Sequence, residues 1–292
     1  MSSLRIGYIG IGLMGLPMVR HLAARGYAIT AYDIAADRCR EAASARVAIA
    51  ASAAEVTKGS DIVCLNLPTT ESVEDVMFLG GDVASHMSKA QVLVDFSTIV
   101  VDKGRQFAAR LRERAGCGWV DAPVSGGPPA AGSGTLTVMA GGAPADIDRI
   151  RPLMADVAQR FTPMGPVGAG LAAKMLNQMI VGCLHAVLAE SLIVAEKAGI
   201  DAARLPECLA GGHADGSLLQ RLYPRMAARE FAPQGYARQL LKDLEMVSAF
   251  TAGLKAPTPM TGEALNLYRM LIHLGHAELD TSAIVKLYDR TD

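Results

Sequence analysis

Lys174, Asn177 and Gln178 stand out as a polar cluster in the largely apolar stretch between Met164 and Gly199. Spacings of three and four residues put them on one face of a helix within a single turn. A buried lysine is costly unless it is partnered or used, and a desolvated lysine is a tunable proton donor or acceptor. Near a helix start the same side chain could instead reach water along its stem. A second group opens the chain, where Gly10, Gly12 and Gly15 follow the apolar run Leu4–Ile9 and precede a helical pattern. In that order the first glycine permits a tight turn and the second lets backbone approach a pyrophosphate. The third allows close packing of helix on strand, and the helix start offers free N–H groups and positive dipole. The next strand ends at Asp33, whose carboxylate would accept from both adenosine ribose hydroxyls and repel a 2′-phosphate. NAD is therefore expected over NADP, although Arg38 one turn later could reach a phosphate and Asp33 could simply cap the following helix.

The elements that must carry these residues follow from periodicity. Strands are expected at 4–9, 28–33, 61–67, 92–96, 118–124 and 135–141, with helices at 16–26, 35–45, 70–78, 101–115 and 144–155. Alternating helices and apolar strands imply a mainly parallel, doubly wound Rossmann sheet, which binds ligands past the carboxyl ends of its strands. Those ends carry Asn66-Leu67-Pro68, Ser97-Thr98 and Ser125-Gly126-Gly127. Each is compatible with ordinary loop chemistry. The Ser-Gly-Gly turn also presents backbone N–H groups and a hydroxyl, which suits a carboxylate. The segment 127–134 is expected as a shaped loop. From Gly165 onward the pattern is nearly all helical, at 171–198, 201–210, 216–228, 236–253 and 258–274. The fold class is thus α/β, with a Rossmann domain over 1–163 and an all-α domain over 164–292, joined by a long interdomain helix. Lys242, inside the fourth of these helices, reads from pattern alone as a solvated helix lysine.

Composition excludes several classes. Hydrophobic residues make up 51% of the 292, and 28 basic against 29 acidic residues give a net charge of −1, so no basic surface invites nucleic acid or an anionic membrane. His185, Glu190 and Ser191 are expected to keep the longest apolar run short of a membrane span. The start of the chain lacks the charged-then-apolar pattern of a secretory signal. Five scattered cysteines without a CxxC pair point to free thiols in a reducing, cytoplasmic setting, and no metal site is expected.

Taken together, the motifs resemble the β-hydroxyacid dehydrogenase family, which includes 3-hydroxyisobutyrate dehydrogenases, tartronate semialdehyde reductases and relatives of 6-phosphogluconate dehydrogenase. The carriers are IGYIGIGLMGLPMVRHLAARGY (6–27), NLP (66–68), DFSTI (95–99), DAPVSGG (121–127), GTLTVMAGG (134–142), GPVGAGLAAKMLNQ (165–178), KDL (242–244) and LDTSAIV (279–285). The resemblance spans essentially the whole chain. It implies an NAD(P)-dependent oxidoreductase interconverting a small β-hydroxy acid and its semialdehyde or keto acid, usually as a homodimer or homotetramer. Lys174 matches the catalytic lysine, and Ser125, Gly126 and Gly127 match the loop that holds the substrate carboxylate. Asn177 or Gln178 would orient the substrate oxygen. Gly10, Gly12, Leu13, Met14, Gly15, Asp33, Asn66, Leu67, Pro68 and Thr98 match cofactor contacts. Lys242 falls on a KD pair whose lysine lies over the cofactor, which reverses the reading from pattern alone. Asp280 matches a structural position. Two departures concern the substrate pose: Gln178 stands where many members have asparagine, and Pro128-Pro129 alters the carboxylate loop. An imine reductase, or a non-catalytic dinucleotide sensor or assembly module, are the alternatives within this architecture; retention of Lys174 argues against both.

Overall fold

Arg5–Ile9 forms β1, Gly15–Ala24 forms α1 and Ala28–Tyr32 forms β2 in the computed structural model, which describes residues 4–289. The apolar residues of β1 are buried because both faces of the strand are covered. The chain continues through α2 (Ala36–Ala42), β3 (Val47–Ile49), β4 (Ile62–Leu65), α3 (Thr70–Phe78), β5 (Val92–Asp95) and α4 (Val101–Ala115). It then passes β6 (Gly118–Asp121), β7 (Val124–Ser125), α5 (Gly127–Ser133), β8 (Leu136–Gly141), α6 (Pro144–Val157) and β9 (Ala158–Gly165). The strands line up as β3-β2-β1-β4-β5-β6-β8-β7, with β9 also paired to β8. Pairing is parallel from β3 to β6, and β8 runs antiparallel to β6 and β7. This is the doubly wound order, whose direction of winding reverses between β1 and β4 and leaves a ligand crevice at their carboxyl ends.

Several local details differ from the sequence expectation, the unexpected strand β3 among them. The expected strand 118–124 is two strands, because the chain leaves the sheet at Ala122-Pro123 and returns antiparallel. The segment 127–134 is mostly the short helix α5, with its prolines in the first turn, where a missing N–H costs nothing. Strand β9 was not expected, since most of its residues are exposed and give no apolar signal.

The chain divides into two compact units, Met1–Lys174 and Met175–Asp292. The first unit thus runs past the change in composition at Pro163–Gly165. Strand β9 extends the sheet, and Asp121 of β6 holds the start of α7 (Ala169–Lys197), a helix that continues into the second unit. The second unit further contains α8 (Leu205–Leu209), α9 (Ser217–Ala227), α10 (Ala237–Gly253) and α11 (Pro259–His273), closed by a 3-10 segment over Thr281–Leu287. The helix expected over 201–210 is a 3-10 turn followed by α8, with Pro206 in the first turn of α8. The unit's core gathers Leu192, Tyr223, Leu244, Tyr268 and Ile284. Asp280 is structural: its buried carboxylate accepts from the N–H groups of Gln234, Gly235 and Ser282 and pairs with Arg225 at 3.1 Å. Burial would raise its pKa, but these N–H donors and the guanidinium together hold it below the ordinary carboxylate value.

Helix α7 corrects one expectation. By length and composition it is apolar enough to cross a membrane, with mean hydropathy 1.7 over its best window, even though His185, Glu190 and Ser191 interrupt it. Ser191 Oγ donates to Leu188 O at 2.8 Å. His185 is buried with its Nδ1 2.9 Å from the Tyr268 hydroxyl, which itself donates to Thr281 O, so the imidazole is neutral with its proton on Nδ1. Burial pushes the His185 pKa down to about 4, against a pull upward from Asp280. The unfolded chain therefore takes up a proton first as pH falls below the ordinary value of 6.5. Between that pH and about 4 the fold should lose on the order of 1 kcal/mol per pH unit. In His185→Gln, denaturant unfolding should show a flatter pH dependence across this window. An unchanged slope would remove His185 as its source.

Candidate active site

The glycines of the first loop divide their work as the turn requires. Gly10 has φ +91°, and a Cβ on it would lie 2.3 Å from Asn66 O; one on Gly15 would lie 2.1 Å from Gly10 O. Among the described residues, a Cβ on Gly12 would meet no atom within 4 Å. The loop is thus closed toward the protein at its first and third glycines and open at the second. Helix α1 starts here with no side-chain cap and no acidic residue in its first turn, so the positive end of its dipole carries no competing anion of its own. These features fit the diphosphate of a dinucleotide, with Leu13 and Met14 lying between the open glycine and the helix start.

Asp33 is fixed just past β2. Its Oδ2 accepts from Ile11 N at 2.8 Å, within the glycine loop, and its Oδ1 accepts from Ala35 N at 2.9 Å. One carboxylate therefore ties the glycine loop to the segment that follows β2, and each of its oxygens keeps a lone pair that could accept a further donor. Arg38 is engaged by Glu41 at 3.1 Å, and Glu41 also holds Arg20. Further along the strand ends, Leu67 N donates to Ser97 Oγ at 2.9 Å, joining the turn Asn66-Leu67-Pro68 to Ser97-Thr98. The Asn66 side chain reaches the Tyr8 hydroxyl.

The first unit also assembles the lysine and the Ser-Gly-Gly turn. Lys174 is 7% exposed, and its Nζ donates to Val124 O at 2.8 Å, one residue before Ser125. Gly126 and Gly127 have φ of +128° and +70°, a pair of left-handed conformations that glycine adopts without strain. Prolines 128 and 129 remove two N–H groups from the first turn of α5, which begins at Gly127.

What places Lys174 is Asp121. Its Oδ1 accepts from Gly168 N at 2.7 Å and its Oδ2 from Leu171 N at 2.8 Å, so a carboxylate at the end of β6 caps the first turn of α7. Burial pushes the Asp121 pKa up, and the N–H donors only partly offset it. A Cβ on Gly170 would lie 2.4 Å from Met139 O and 2.8 Å from Asp121 O, so the helix approaches the sheet this closely only because residue 170 is glycine. The sequence reading quoted Asp121 within its motif but gave it no role. A carboxylate four residues before Ser125, paired with a distant GxG, was the signal.

In the second unit, Asn177 and Gln178 adjoin Lys242 and Asp243. Asn177 Nδ2 donates to Gln178 Oε1 at 2.7 Å, and Gln178 Nε2 donates to Asp243 Oδ2 at 2.6 Å. The other carboxylate oxygen of Asp243 lies 3.2 Å from Lys242 Nζ. Asp243 is the residue the sequence reading missed here. It appeared only as the neighbour of Lys242.

Comparison with known proteins covers the chain in two parts. Residues 5–165 match the NAD binding domain of 6-phosphogluconate dehydrogenase, and residues 168–288 match the family described as NAD-binding of NADP-dependent 3-hydroxyisobutyrate dehydrogenase. An NAD-dependent L-serine dehydrogenase of Pseudomonas aeruginosa is 32% identical, with 98% of both chains covered. A 2-hydroxy-3-oxopropionate reductase of Escherichia coli is 33% identical over 97% of this chain and 96% of its own. Among solved structures, a 3-hydroxyisobutyrate dehydrogenase of Mycobacterium tuberculosis with L-serine has a TM-score of 0.87 at 30% identity, covering 99% of this chain and 100% of that one.

Proposed function

Because the chain belongs to the β-hydroxyacid dehydrogenase family, we propose that it reversibly oxidises a small β-hydroxy carboxylate to the semialdehyde or keto acid. The substrate class is that of 3-hydroxyisobutyrate, glycerate, threonate or serine, with Lys174 as general acid and base. It is an NAD(P)-dependent oxidoreductase acting on a CH–OH group. When bound, the nicotinamide supplies the hydride chemistry, and the chain supplies geometry and one proton-transfer group.

The observation that carries this reading is the placement of Lys174 Nζ 2.8 Å from Val124 O, beside the Ser125-Gly126-Gly127 turn. In oxidation the neutral amine takes the hydroxyl proton; in reduction the ammonium returns it. The Ser125 hydroxyl and the Gly126 and Gly127 N–H groups hold the carboxylate. That sets the distance between acid and hydroxyl and so favours β- over α-hydroxy acids. Asn177 and Gln178, one turn further along α7, orient the reacting oxygen, and Lys242 is assigned to the cofactor.

NAD is proposed over NADP, supported by the fixed Asp33 carboxylate and by the engagement of Arg38 with Glu41. Assembly as a homodimer or homotetramer is supported by the exposed stripe of Leu176, Ile180, Leu184, Val187 and Val194 along α7, which recurs at intervals suited to helix pairing. A cytoplasmic location is proposed from the five free thiols.

Cofactor reduction at alkaline pH, with a panel of small hydroxy acids and each of NAD and NADP, tests the reading. At least one β-hydroxy acid should turn over with NAD, and α-hydroxy acids of similar size should not. Asp33→Ala should lower kcat/KM for NAD by about tenfold or more, for the loss of hydrogen bonds to a charged group, and narrow the preference over NADP. Equal use of both cofactors by the unaltered enzyme would refute the role given to Asp33.

A further inference from the structure

We propose that Asp243 and Gln178 are positioning residues that fix the carboxamide of Asn177 for turnover, so that Asn177 rather than Gln178 is the amide presented to substrate. This rests on the function proposed above and assigns the roles within its oxygen-orienting pair. Three contacts in the second unit carry it: Asn177 Nδ2 to Gln178 Oε1 at 2.7 Å, Gln178 Nε2 to Asp243 Oδ2 at 2.6 Å, and Asp243 Oδ1 to Lys242 Nζ at 3.2 Å.

The direction of this chain of bonds is set from one end. An ionised carboxylate only accepts, so the end of the Gln178 amide that faces Asp243 must be its NH2 group. That turns Oε1 toward Asn177, and an oxygen there demands the NH2 of Asn177 in return. Asn177 is left with its Oδ1 directed away from Gln178 and with one N–H unspent. Gln178 and Asp243 are each 8% exposed, so water competes poorly and a flipped amide would set oxygen against oxygen. Bonds in such a chain also polarise one another from the charged end. Asn177 is the more exposed of the two amides. Gln178 has both ends of its amide committed inside the protein, so its part is to transmit orientation. The same carboxylate holds Lys242, which joins the cofactor-assigned lysine and the substrate-assigned amide to one anchor.

The test is a charge swap. Gln178→Glu alone sets two carboxylates against each other. Asp243→Asn alone removes the acceptor-only group that orients Gln178. In the double variant the carboxylate sits at position 178, accepting from Asn177 on one side and from the amide introduced at 243 on the other. The orientation of Asn177 is then restored with the charge moved by one side chain. Each single variant should lower kcat for the hydroxy acid by about 100-fold, the scale for losing one preorganised donor. The double variant should recover to within about fivefold of the unaltered enzyme, a coupling that independent sites do not show. Denaturant unfolding of all four proteins reports the contact itself, independently of the reaction. Recovery of stability without recovery of kcat makes the contact merely structural and overturns the proposal. Recovery of neither overturns it too. If the unaltered enzyme oxidises no hydroxy acid, the function proposed above fails first, and the positioning role falls with it.

Discussion

Replacing Lys174 with alanine is expected to lower turnover by about a thousandfold, on the scale of a lost general acid and base, while cofactor binding stays near that of the unaltered enzyme. The two effects separate because the residues assigned to the cofactor in the first unit lie at the ends of β1, β2, β4 and β5 and do not depend on Nζ. The lysine itself is 7% exposed and donates to Val124 O. That contact anchors the amine at the Ser125 turn. Lys174→Arg distinguishes charge from proton transfer, since a guanidinium keeps the charge but does not give up its proton in the working range. The arginine variant should therefore be about as inactive as the alanine variant. Steady-state rates beside a fluorescence titration with NADH read both quantities, and a near-normal rate in either variant contradicts the assignment.

The second large effect concerns a residue that touches no substrate. Asp121→Asn should cost about 2–3 kcal/mol of stability, because an amide can accept from only one of the two N–H groups its carboxylate now holds and the other is left buried without a partner. Turnover should fall by about 100-fold, since a displacement of the first turn of α7 on the order of 1 Å moves Lys174 relative to Ser125. Denaturant unfolding reads the first effect and kcat the second. If stability falls but kcat does not, Lys174 is placed by something other than this cap.

The parts of this account that were legible in the sequence are those with strong local codes. The glycine loop, the mainly parallel doubly wound sheet and α3, α4, α7 and α9–α11 follow from periodicity, capping and glycine placement. Strand β9 was not legible, because an edge strand with most residues exposed carries no apolar pattern. The break between β6 and β7 was hidden because both halves are rich in strand formers. Lys174, Asn177 and Gln178 stood out as polar residues in an apolar helix. Their partners did not, since Val124 O is backbone and Asp243 lies 65 residues away from Gln178. Long-range pairing of this kind is set by topology, and no spacing in the chain announces it. The departure at Gln178 acquires a physical reading only once Asp243 is seen beside it.

Restoration of the Lys174→Ala variant by small primary amines tests the central claim most directly. Lys174 is taken to act by moving a proton at a fixed place, so an amine of similar basicity diffusing into the vacated space should restore cofactor reduction. The rate should rise with amine concentration and with the fraction of amine unprotonated at the assay pH. A variant that turns over at close to the normal rate without any amine, or one that no amine of any size accelerates, would contradict it.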